Sequence, residues 1–214
     1  MVIPPALSTE DDWLDTQPER LWSALSTEQK HERILFAAGR VFAREGLDAS
    51  MPTVAAEAAA GIGSLYRQFP SKHDLLAALV IRRLLQIQAA AVQAAAQPAD
   101  HWQAMKEMLW ITVERHAADD FLGEAWNQVE DHEQVRIAAD ATIQAFARLV
   151  DLARAEGGIR SDATALDIRM LFVATRASRQ VHPDGWQRVL ELMIDGLAAG
   201  GAPRHISAKP ARRP

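Results

Sequence analysis

The chain has 214 residues, 49% of them hydrophobic, which is enough for a small domain beside a larger one with a substantial core. It has no cysteine, which excludes a disulfide framework, a thiolate metal site and a cysteine nucleophile. No run approaches the roughly 18 apolar residues of a membrane span, and the amino terminus is acidic where a signal peptide is basic and then apolar, so the cytoplasm is the expected compartment and no membrane partner is expected. A net charge of -5 argues at face value against a nucleic-acid partner. Its distribution softens that objection. Glu10, Asp11, Asp12, Asp15 and Glu19 crowd the first 25 residues, whereas Arg40, Arg44, Arg67, Lys72, Arg82 and Arg83 lie together further on.

Residues 1–25 carry Pro4, Pro5 and Pro18 among acids and read as a flexible acidic extension. A short helix over 18–25 is the alternative, and Trp13 and Trp22 count against full disorder. Ser26 and Gln29 have capping-box spacing, which starts the first helix near Thr27. Ile34, Leu35, Ala38, Val41 and Phe42 recur on one face of it, and Gly46 ends it. Ser50 caps a second helix with Pro52 in its first turn. A tight connection leads to a third, short helix after Gly61, where Leu65 and Phe69, four apart, point inward. Ser71 caps a fourth helix to about Ala96, roughly 37 Å long at 1.5 Å per residue. Beyond Pro98 helices are predicted over 99–117, 120–128, 132–156, 163–179 and 184–199, with no sustained strand alternation. The fold class is therefore all-α with about nine helices. The tail from Pro203, basic and proline-rich, is predicted to be disordered.

The second and third helices, packed on the first, have the form of a helix-turn-helix. Arg33-Ile-Leu-x-Ala-Ala, Val41-Phe-Ala-x-x-Gly46, Val54-Ala-x-x-Ala58, Gly63-Ser-Leu-Tyr-Arg-x-Phe-Pro-Ser-Lys72 and Leu75-Leu76 follow one another along this stretch. In order and spacing, residues 28–82 closely resemble the amino-terminal domain of the TetR (tetracycline-repressor) family of bacterial regulators. The remainder resembles that family only in being helical and of suitable length. One departure stands out. The family usually has glycine at the turn after the first helix of the motif, and here Ala59 must tolerate or avoid a left-handed conformation, with Gly61 two residues on as the alternative source of freedom.

The resemblance implies that Ile62, Gly63, Tyr66 and Gln68 face bases in the major groove and that Ser64 and Tyr66 lie near the DNA backbone. Ile62 suits a thymine methyl, Gln68 suits adenine, and Gly63 permits close backbone approach. Arg67 is a phosphate candidate. Lys72, in the first turn of the fourth helix, combines its charge with the helix dipole, and Thr53 is a phosphate candidate on the opposite side. A purely structural alternative stands beside each: Tyr66 as a packing residue, Ser64 satisfying a helix end, Lys72 as a solvated lysine.

The domain organisation expected is an extension over 1–25, a helix-turn-helix domain over 26–82, a helical regulatory and dimerisation domain over 83–201, and a basic tail over 202–214. Trp102, Met105, Leu109, Trp110, Trp126 and Phe146 offer large, adaptable apolar surfaces for a ligand pocket, with ordinary core packing as the alternative. One short recognition helix reads too few base pairs for specificity, so a homodimer on a near-palindromic operator is expected. Its interface candidates are Leu166, Met170, Val173 and Ala174 on one helix and Leu190, Met193, Ile194 and Leu197 on the next, the alternative being that both helices cover their own core. No catalytic constellation, cofactor or metal site is implied, and His101, His116 and His132 lack a metal spacing. The expected function is a DNA-binding repressor released by a small apolar or aromatic effector. The alternatives are a DNA-binding regulator without a ligand and a helical binding protein with an incidental motif.

Overall fold

The computed structural model describes residues 22–117 and 120–200. The acidic extension therefore lies outside the described residues apart from 22–25, as does the whole basic tail, and the side chain of His116 is not among those described. Among the described residues there are nine α-helices and no strand: α1 (Thr27–Glu45), α2 (Met51–Glu57), α3 (Ile62–Gln68), α4 (Lys72–Ala95), α5 (His101–Ala117), α6 (Asp120–Val129), α7 (Glu133–Ala155), α8 (Ala165–Ser178) and α9 (Gly185–Leu197). Residues 22–24 form a single 3-10 turn where the sequence offers a short helix. Two compact units divide the chain. The first takes residues up to Leu84 together with Asp119–Ala138, and the second takes Leu85–Ala118 and the residues from Ala139 onward.

In the first unit, Ser26 and Gln29 form the expected reciprocal capping box, and Ser50 accepts the amide of Thr53 to cap α2. Ile34, Ala38, Val41 and Phe42 from α1 meet Val54, Leu65, Phe69, Leu75 and Leu76 in one core. The sequence division ends this domain at residue 82, but α6 belongs to it as well. Phe121, Ala125, Val129 and Val135 enter the same core, with the Phe121 ring centroid 6.1 Å from that of Phe42. An apolar face on α6 carries no sign in the sequence of which of two cores it covers.

The turn after α2 answers the question raised by the missing glycine. Ala59 has a φ of 51°, in the left-handed region, and the Ala60 amide reaches back to the Ala55 carbonyl at 2.9 Å, as in a glycine-terminated helix. Gly61 supplies none of this freedom, since its φ is -66°. Alanine thus holds a conformation that glycine adopts without a Cβ penalty.

The second unit gathers Met105, Leu109, Phe146, Leu149, Ile168, Leu171 and Leu190. Gly158 packs so closely that a Cβ there would lie 2.6 Å from Trp102 Cβ. The backbone amide and Nδ1 of His101 reach Glu156 at 2.8 and 2.6 Å, holding the start of α5 to the end of α7. The His101 amide hydrogen bond, followed by the one from its ring, keeps the Glu156 carboxyl below its ordinary range.

Helix α4 is long and apolar enough to cross a membrane by length and composition, contrary to the expectation from uninterrupted runs. Arg82 and Arg83 break the run without making the helix polar on average. Its apolar residues are used elsewhere: Leu75, Leu76, Ala77, Leu79 and Val80 are buried in the first core and Ile87, Ala91 and Ala94 in the second.

A left-handed non-glycine residue costs about 1–2 kcal/mol, and glycine returns about 0.4–1 kcal/mol of that through its freer unfolded chain. Ala59→Gly is therefore expected to stabilise the protein by about 0.5–1 kcal/mol. Urea denaturation measures the change, and an unchanged or lower midpoint would mean that the turn is not strained.

Candidate nucleic-acid interface

Helix α3 is seven residues long, and a helix of that length is marginal in water without tertiary support. Leu65 and Phe69 give that support, being fully buried as the spacing requires. The opposite side is open. Ile62 and Tyr66, four apart and so on one face, remain 44% and 45% exposed, and a Cβ added to Gly63 between them would meet nothing within 4 Å.

The polar residues are more constrained than the sequence implies. Arg67 Nη2 donates to Ser64 Oγ at 3.0 Å, so the two candidates for backbone contact are already joined along the helix. Gln68 Oε1 lies 3.2 Å from His31 Nδ1, and the His31 ring packs at 4.7 Å centroid distance on Phe69. A two-point pairing of Gln68 with adenine therefore uses an oxygen that His31 already contacts. Nothing in the sequence pairs His31 with a residue so distant along the chain. Thr53 is half-buried, with Oγ1 2.9 Å from Ser50 Oγ.

At the start of α4, Ser71 and Asp74 form a second capping box. Asp74 Oδ2 accepts from the Ser71 amide at 3.0 Å and hydroxyl at 2.6 Å, and Ser71 Oγ accepts from the Asp74 amide at 3.1 Å. The Ser71 hydroxyl is the main cause that holds the Asp74 carboxyl below its ordinary range. Lys72 is half-buried, its Nζ 5.8 Å from the Phe42 ring centroid. This seats the ammonium beside the amino terminus of a long helix. Other cations of the region are spoken for: Arg40 pairs with Glu57 at 3.2 Å, Arg44 with Glu45 at 2.8 Å and Glu57 at 3.5 Å, and Arg82 with Glu32 at 3.6 Å.

The residues proposed for a ligand pocket separate. Met105, Leu109 and Phe146 are buried in the second core, with Trp102 and Trp110 packed against it, whereas Trp126 packs on the first core. Trp110 meets Trp186 edge to face at 5.9 Å, and Phe146 meets Phe172 at 5.8 Å. Of the interface candidates, Leu166, Met170 and Val173 are exposed on α8, and Ala174 and Met193 are half-buried. Leu190, Ile194 and Leu197 instead lie in the second unit's own core, because they occupy the face that α9 turns toward its own unit; Leu192 is the large apolar residue α9 exposes.

Comparison with known proteins bears on the fold and the family. Residues 34–79 match the family described as bacterial regulatory proteins, tetR family, and residues 107–199 match the carboxy-terminal domain of SbtR-like transcriptional regulators. The chain is similar to the TetR transcriptional regulator SCO0520 of Streptomyces coelicolor, with 28% identity and a TM-score of 0.61 over 79% of this chain and 98% of that one. It is similar to a TetR regulatory protein of Mycobacterium vanbaalenii, with 28% identity and a TM-score of 0.55 over 79% of this chain and 95% of that one. A third similar structure, described as the molecular basis for control of antibiotic production by bacterial hormones, has 25% identity and a TM-score of 0.62 over 82% of this chain and 100% of that one. No curated protein matches the sequence. The fold and the helix-turn-helix define a helical, DNA-binding transcriptional regulator. Two family models that together span more than half of the sequence make the chain a member of the TetR family.

Proposed function

We propose that the protein is a cytoplasmic repressor that reads a near-palindromic operator as a homodimer, acts without catalysis, and leaves the operator when a small apolar or aromatic effector binds. The observation that carries the DNA contact is the exposed pair Ile62 and Tyr66 around an open Gly63, on a helix whose other face is buried. Ile62 meets a thymine methyl, and Gly63 lets the backbone come close to the base edges. Lys72 and the positive end of the α4 dipole hold a phosphate, with Thr53, Ser64 and Arg67 as further backbone contacts. Gln68 reads adenine through the amide that His31 also contacts.

Tyr66→Ala is expected to weaken operator binding by roughly 1–3 kcal/mol with the fold intact. Gly63→Ala separates packing from recognition: it has space in the protein and, in the first turn of α3, gains part of the roughly 1 kcal/mol of helix propensity that alanine has over glycine in a helix interior, yet its methyl group points where DNA would approach. It should raise thermal stability and lower operator affinity. Unchanged affinity in both variants, measured by fluorescence anisotropy on the mapped operator, removes α3 from the interface.

The dimer rests on Leu166, Met170 and Val173, which share one exposed face of α8, beside Ala174 and Met193. The same face of a partner chain covers them, and the packed α8–α9 pair doubles into a four-helix bundle. Val173→Glu places a charge at a position 59% exposed in the single chain, so the protomer should fold while the pair separates. Light scattering at micromolar concentration is expected to give a monomer with reduced operator affinity; a dimer with full affinity would refute this face.

The effector is assigned to the second unit, where Trp102, Met105, Leu109, Trp110 and Phe146 join one aromatic and methionine-containing cluster. The relative described by hormone control of antibiotic production supports a ligand-responsive reading. Helix α4 contributes to both cores and is the proposed route to Lys72. With a coupling of 1–3 kcal/mol, effector binding lowers operator affinity about 5–150-fold. Titrated apolar metabolites should change tryptophan fluorescence and operator affinity at the same concentrations, and Trp110→Phe should blunt the fluorescence change. A ligand that saturates the cluster and leaves operator affinity untouched rules this mechanism out.

A further inference from the structure

Four side chains converge beside the phosphate anchor without hydrogen-bonding to one another. His73 and Asp74 sit in the first turn of α4, directly after Lys72, and Asp131 and His132 form the link from α6 to α7 within the same unit. His73 Nε2 stands 3.8 Å from Asp131 Oδ1, and His132 Nε2 stands 3.9 Å from Asp74 Oδ1. The two imidazole rings face each other at 5.6 Å between centroids, and ligand atoms from His73, Asp74 and His132 all fall within 4.8 Å of one another.

Those separations are too long for hydrogen bonds and close to the spacing of atoms that share a metal ion. In a tetrahedral zinc site with bonds of 2.0–2.2 Å, neighbouring donor atoms lie about 3.4 Å apart, so the two closest pairs need to close by about half an ångström and the widest separation among the three residues by up to about 1.4 Å, which side-chain rotation can supply. The carboxylate is already oriented for this. Asp74 Oδ2 is committed to the Ser71 cap, which leaves Oδ1 as the atom turned toward His132. Two imidazoles with one or two carboxylates favour a borderline first-row ion over magnesium or calcium, which take oxygen donors.

We propose that His73, Asp74 and His132, with Asp131 as a fourth donor, bind one first-row divalent metal ion of the zinc type, and that this ion modulates DNA binding through the first turn of α4. The second half rests on the DNA contact assigned above to Lys72. The ion ties the α6–α7 link to the residues immediately after that anchor, so its occupancy alters how firmly Lys72 is held.

The test uses the full chain stripped with a chelator and titrated with zinc or cobalt(II) chloride at micromolar concentration. One cobalt ion per chain is expected, with the intense visible absorption of a four-coordinate site, together with a rise in thermal midpoint. His73→Ala, at a half-exposed position that tolerates truncation, and His132→Gln, which keeps the side chain's bulk, should each abolish the absorption and the rise. His182→Ala, outside the cluster, should keep both. No binding by either ion, or binding unchanged in His73→Ala and His132→Gln, overturns the site. In a second arm, zinc should change operator affinity about fivefold or more in the unaltered chain and not in His132→Gln. Metal binding with constant operator affinity overturns the regulatory half alone. Were the chain to bind no operator at all, the absorption would still decide the metal site, so the two readings fail separately.

Discussion

Burial of Leu65 and Phe69 is the constraint on which the DNA-reading surface depends. Seven residues cannot repay the cost of helix nucleation by themselves, so α3 exists because its inner face is part of a larger core. Burying each such side chain contributes about 1.5–3 kcal/mol, and the partners that make this possible come from α1, α2, α4 and α6. Helix α6 is thus a structural member of the unit that carries the recognition helix, although α5 and half of α4 separate them in sequence. Phe121 stands behind Phe42, and Phe42 in turn carries the Lys72 ammonium on its ring. Lys72 and helix α3 rest on the same few aromatic and aliphatic side chains.

Charge works locally in this protein. A net charge of -5 opposes approach to a polyanion at long range, and Glu57 and Glu45 consume much of what Arg40 and Arg44 would offer. Binding by a general basic surface is therefore a poor description. A cation fixed at a helix amino terminus acts differently, because the helix dipole favours the same anion there and little side-chain freedom remains to be lost. Lys72 meets those conditions, being half-buried against Phe42.

Local signals in the sequence were readable wherever their physics is local. The Ser26–Gln29 box, the Ser50 cap and the inward pair Leu65 and Phe69 each depend on residues three or four apart, and each is found in the structure as expected. Helix number and order follow from the same periodicity. What could not be read depends on distant neighbours. Trp126 and Trp110 look alike as members of apolar stripes, yet they pack on different cores. Leu190 and Val173 look alike as interface candidates, yet one is buried and the other exposed. Gln68 has the chemistry to read adenine, and only the structure brings His31 to it. The turn at Ala59 is an intermediate case: the departure from glycine was visible, but its resolution through a strained alanine rather than Gly61 was not.

The corner between α3 and α4 concentrates several of these demands on consecutive residues. Ser71 caps α4, Lys72 lays its ammonium near the Phe42 ring, and His73 and Asp74 face the α6–α7 link. A helix allows this because successive side chains emerge about 100° apart, so neighbours in sequence point to different partners. Asp74 serves two of them with one carboxylate, one oxygen closing the cap and the other turned to His132. Removing it would disturb the cap and the cluster together, whereas changing His73 or His132 leaves the Ser71 hydrogen bonds intact. The histidines are therefore the positions at which the cluster can be separated from the stability of the helix start, and Asp74 is the residue through which the two are physically joined.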